Sequence, residues 1–226
     1  MAVADGEHDN ESYMEFDISK DFTKRVRGTV QKALGELGFQ KRKAGILTLS
    51  VTPIVVGSVG LNVATGRGAG ILEINPVVGV RNQEIERLVA ELVQEPFDEV
   101  IPPTLAGNVG YMSPANRYTP FLFTEDTAVE AVADELCEAV ATNGLPFIKK
   151  NADLATLVEA MQTVRFGIPF VVEYRIPVGL FLLGDHARVE AFIAAREAEI
   201  GARNDPAALR YKRFLAKFSQ RLATHQ

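Results

Sequence analysis

The feature that most constrains this chain is a change of hydrophobic period near its middle. Between the first helical segment and Phe123, apolar residues recur at every second position, in runs rich in valine and isoleucine. From Thr124 onward they recur every three or four. Period two marks strands with one buried face, and a period near 3.6 marks helices. The expected fold class is therefore α+β: a mostly antiparallel sheet covered by two helices, followed by a helical C-terminal half. The expected organisation is an acidic flexible tail over 1–17, an α+β sheet domain over 18–123 and a helical domain or subdomain over 124–226.

Phe22, Val26, Val30, Leu34 and Leu37 share one helical face between Ser19, a suitable N-cap, and Gly38, a suitable stop, so a helix is expected over 19–37. Strands are expected over 39–43, 46–52, 54–65 and 71–81, the last two joined by the glycine-rich turn 65–70. A second helix over 82–95 carries Ile85, Leu88, Val89 and Leu92 on one side. The proline-rich segment 96–107 reads as an irregular loop, with short strands at 109–112 and 118–123. Helices follow over 124–143, 151–164, within 168–183, 185–200 and 205–223, the last opened by Asp205 before Pro206.

Composition narrows the function classes. A formal charge of −5 argues against a chain that coats nucleic acid or anionic lipid through its overall field. The single cysteine, Cys137, rules out an internal disulfide framework, and no Cys or His cluster has the spacing of a zinc site; no cofactor or metal is expected. The acidic N-terminus lacks the basic and apolar regions of a secretory signal. The longest apolar run, 176–183, is far below the roughly 20 residues that span a bilayer. A cytoplasmic protein with no membrane contact is the expectation.

Histidine catalysis has little to work with: His8 and His225 lie near the termini and His186 opens a helix. Cys137 falls beside the stripe Val129, Val132, Leu136 and Val140, where a thiol acts as a small core hydrophobe. Three other features stand out. Arg67 and Gly68 sit in the glycine-rich turn and form a candidate anion loop, although a strand follows where a phosphate loop needs a helix. Ser50, Asn62, Glu73 and Asn75 fall at alternate positions and form a candidate ligand face on the sheet, for which Asp98 or Glu99 would have to supply a second carboxylate. Arg210, Arg213, Lys217 and Arg221 form a basic arc on the last helix beside Tyr211, Phe214 and Phe218, a candidate partner-binding surface.

The phrases Gly-Phe-Gln-Lys-Arg-Lys at 38–43, Gly-Leu-Asn at 60–62, Leu-Glu-Ile-Asn-Pro-Val-Val-Gly-Val-Arg at 72–81, Gly-Tyr-Met at 110–112 and Tyr-Arg-Ile-Pro-Val at 174–178 resemble those of uncharacterised bacterial proteins. The first third, a helix followed by Leu-Gly-Phe and a basic strand, is similar to immunity-like proteins of bacterial conflict systems. That resemblance implies binding rather than catalysis and carries no catalytic residue onto this chain. The expected function is accordingly a non-enzymatic binding protein of immunity, defence-accessory or adaptor type acting on another protein. The alternatives are an enzyme of unfamiliar type working on the polar sheet face, and a nucleic-acid binder using the basic C-terminal helix.

Overall fold

The computed structural model describes residues 18–42, 45–64, 70–163 and 169–224, and the side chains of 169–171 lie outside that description. The acidic segment 1–17, His8, His225 and the candidate anion loop at Arg67 and Gly68 fall outside the described residues.

Helix α1 (Lys20–Glu36) opens where the Ser19 hydroxyl accepts from the Phe22 amide at 3.0 Å. It buries Phe22, Val26, Val30 and Leu34, the face expected from spacing. Strands β1 (Gln40–Lys41), β2 (Ile46–Ser50), β3 (Val55–Ala64) and β4 (Leu72–Asn82) follow as an antiparallel meander. Strand β5 (Leu105–Asn108) pairs with one half of β4, and β6 (Phe121–Phe123) with the other, which makes a six-stranded antiparallel sheet.

The sheet segment departs from expectation in two places, both set by Asn108. Residues 105–108 form a strand where an irregular loop is expected, and Val109–Met112 form a 3-10 turn where a strand is expected. The Asn108 side chain accepts from the Gly110 amide at 2.9 Å, which ends the strand and caps the turn. Downstream, the expected helix over 124–143 is α3 (Val129–Ala139), which widens into a π-turn (Val140–Gly144) and continues as α4 (Leu145–Lys150).

Helices α1 and α3 pack on each other over one sheet face, and Ile148 of α4 fills the space above Gly57, where a Cβ would sit 2.8 Å from it. Helix α2 (Gln83–Val93) leaves the end of β4, capped by Asn82. It packs against α6 (Pro169–Leu182) and α8 (Pro206–Ala223). Helices α5 (Leu154–Gln162) and α7 (His186–Ile200) complete the helical layer around α6. Gly179 lets α6 approach closely, since a Cβ there would lie 2.5 Å from Val158 of α5. One apolar cluster runs from Phe22 of α1 to Leu222 of α8.

Candidate functional site

The β3–β4 register sets Asn62 opposite Asn75 and Ala64 opposite Glu73, so the polar residues of these strands share one face as expected. They do not form one groove with Ser50. Ser50 pairs with Val56, six positions from Asn62 along β3, which is about 20 Å at the rise of a strand. Glu73 is buried, and its carboxylate accepts from the Tyr118 hydroxyl at 2.8 Å; the same hydroxyl bonds the Asn75 side chain. The phenol has one proton and faces two acceptors, the Glu73 carboxylate and the Asn75 Oδ1. The result is a closed polar knot under an exposed tyrosine ring.

Asp98 and Glu99 do not join Glu73. The Asp98 carboxylate accepts from the amides of Val100 and Ile101 at 2.8 and 3.0 Å, and its backbone carbonyl accepts from Arg81. Arg81 stands eight positions beyond Glu73 on β4, about 26 Å away along an extended strand. The two-carboxylate arrangement needed on the sheet face is therefore not assembled.

At Arg81 the structure has instead a buried ionic cluster that sequence reasoning missed. Glu86, in the first turns of α2, receives Arg175 of α6 through two hydrogen bonds at 2.6 and 2.8 Å, Arg81 at 3.6 Å, and the Thr104 hydroxyl at 2.7 Å. Arg81, Glu86, Thr104 and Arg175 are all at most 5% exposed. Arg81 also donates to the carbonyls of Asp98 and Pro102, which fastens the 96–104 segment to the sheet end. Burial pushes the Arg81 guanidinium below its ordinary range, Glu86 opposing and Arg175 adding to that shift. A charge buried this way is tolerated only because it is paired.

The candidate surface on α8 divides along the helix. Arg210 pairs with Glu95, just past the end of α2, and Arg221 with Glu91 in its last turn, so half of the basic arc faces α2. Arg213 and Lys217 carry no ion pair among the described residues. Beside Arg210 lies a cleft of about 360 Å³ between α6, α7 and α8. Arg196 of α7 lies over the Tyr211 ring at 5.6 Å, Tyr211 meets Tyr174 edge-on at 4.9 Å, and Arg210 lies over Tyr174 at 6.0 Å. Two guanidinium groups thus lie over a pair of phenols, and Arg203 lines the same cleft.

Pro177 explains why this ladder exists. A proline inside α6 has no N–H for the carbonyl four residues back, Glu173. The Tyr211 hydroxyl donates to that carbonyl at 3.0 Å and is thereby anchored at the floor of the cleft. Burial pushes the Tyr211 phenol well above its usual range, and the Tyr174 phenol is also raised chiefly by burial. The Glu173 and Glu199 carboxylates both hold Arg196.

Cys137 is half-buried and donates to the Ala33 carbonyl at 3.3 Å; burial and then Asp134 push its thiol up, away from the reactive thiolate. His186 stands at the first position of α7, edge-on to Phe181. Among the described residues no group of three His, Cys, Asp or Glu side chains is arranged to hold a metal ion, and no helix is long and apolar enough to cross a membrane. Comparison with protein-family models, curated proteins and solved structures finds no match.

Proposed function

We propose that the protein is a non-enzymatic binding protein that captures an extended acidic segment of a partner protein in the α6–α7–α8 cleft. The observation that carries this reading is the guanidinium–phenol ladder Arg196, Tyr211, Tyr174, Arg210. Arginines already held over rings lose less rotamer freedom when a carboxylate arrives, which lowers the entropic cost of binding.

Charge supports the same reading. Three arginines line the cleft against two glutamates, and both glutamates are engaged by Arg196. Among the described residues Arg203 and Arg210 form ion pairs with the exposed Asp205 and Glu95, whose side chains are 43% and 56% exposed. Such surface pairs are worth roughly 0–1 kcal/mol, so a partner carboxylate exchanges for them at small cost. The phenol rings provide apolar contact between the two charged ends.

The test is fluorescence polarisation of a labelled Glu-rich peptide against wild-type protein and the Arg203→Glu, Arg210→Glu double variant. Binding that weakens with added salt and is lost in the double variant, with an unchanged thermal melt, is the expected result. Equal affinity for both proteins would overturn the assignment.

A further inference from the structure

A second cleft, of about 500 Å³, lies between the 3-10 turn 109–112 and the helical segment 142–150. Its size falls in the roughly 300–1,000 Å³ range of small-molecule sites.

Both of its walls are fixed by specific residues. On one side Asn108 accepts from the amides of Gly110 and Thr119 at 2.9 and 3.1 Å, closing the 109–119 excursion into a rigid unit. Gly110 is required there, because a Cβ would lie 2.2 Å from the Arg117 carbonyl. Ser113 donates back to the Gly110 carbonyl at 2.7 Å, and Tyr111 is left 39% exposed at the cleft. On the other side Gly144 sits against Val78, with 3.0 Å to a Cβ placed on it. The helix widens to the π form there, and the Leu145 amide donates to the Val140 carbonyl. Pro146 has no N–H, so in this register the Ala141 carbonyl finds no donor five residues on. π-turns of this kind occur frequently at functional sites.

The lining combines one cation with the polar side chains of Ser113, Thr142 and Asn143 and an apolar patch. Lys150 is exposed at the rim and has no ion pair among the described residues, while Tyr111, Met112, Pro146 and Phe147 supply the apolar surface. We propose that this cleft binds a small organic carboxylate of about aromatic-amino-acid size, its anion on the Lys150 ammonium and its apolar body between Tyr111 and Pro146. The site is separate from the α6–α8 cleft and shares no residue with it.

The experiment titrates isotope-labelled full-length protein with N-acetyl-phenylalanine and with its neutral amide, reading backbone amide shifts. Saturating shifts confined to 110–114 and 142–150 are expected, with the carboxylate bound about two- to fivefold more tightly than the amide, the scale of one solvent-exposed ion pair. Lys150→Gln should abolish that preference, and Tyr111→Ala should weaken both ligands. Both positions are exposed, and a thermal melt confirms the fold of each variant. Shifts that do not saturate, equal affinity for acid and amide, or an unchanged preference in Lys150→Gln would each overturn the proposal.

Discussion

The Tyr211 hydroxyl and Pro177 should be energetically coupled, and a double-mutant cycle reads that coupling directly. Tyr211 is 4% exposed, and its hydroxyl donates to the Glu173 carbonyl that Pro177 deprives of a helical partner. Tyr211→Phe keeps the ring contacts with Tyr174 and Phe214 and strands that carbonyl. A buried group left without its partner costs about 1–3 kcal/mol, and at this chain length each kcal/mol lowers the melting temperature by about 2–4 °C. In Pro177→Ala the new backbone N–H serves Glu173, so Tyr211→Phe should then cost at least about 1 kcal/mol less. Terms that belong to one site alone, such as the volume lost with the proline ring, cancel in the cycle. Urea unfolding followed by circular dichroism supplies the four free energies. An equal cost of Tyr211→Phe in both backgrounds would refute the claim that the hydroxyl replaces the missing helical donor.

Glu86→Gln should destabilise the fold by about 3–5 kcal/mol in the same assay, because it leaves the Arg175 and Arg81 guanidiniums buried without their carboxylate. Leu34→Ala, at a fully buried position, should cost about 2–5 kcal/mol in urea unfolding. Stability should begin to fall above about pH 8.5, where the unfolded Cys137 thiol ionises, and fall more steeply above about pH 10, where the unfolded Tyr174 and Tyr211 phenols ionise, since all three folded pKa values are raised; thermal melts across alkaline pH check both onsets. Cys137 should react with iodoacetamide much more slowly than an unfolded control, given its raised thiol pKa and partial burial.

What was legible in the sequence is what local periodicity controls. The α1 face, the meander and the α8 start at Asp205 all follow from residues within a turn or a hairpin of each other. The polar face of β3 and β4 was legible as alternation for the same reason. Whether Ser50 joined it depended on register summed over six positions, and whether Glu73 was accessible depended on Tyr118, 45 residues away. The strand at 105–108 and the turn after it hang on Asn108 bonding Thr119 across a loop, a contact that composition conceals.

The functional geometry was hidden for a related reason, yet it left a signal. Arg81 ends an apolar strand, and Arg175 and Pro177 interrupt an apolar helix; each is a local inconsistency that only a distant partner can resolve. Glu86 resolves the first two and the Tyr211 hydroxyl resolves the third. Reading the basic arc of α8 as charge alone missed that its first arginine works through a ring on another helix. Tyr211 falls on the apolar face of α8 by spacing, but its hydroxyl end and the guanidinium over its ring make it, with Tyr174, the floor of a cleft. A proline that breaks a helix ladder thus fixes a phenol, the phenol fixes an arginine, and a packing defect in α6 becomes an ordered cationic surface.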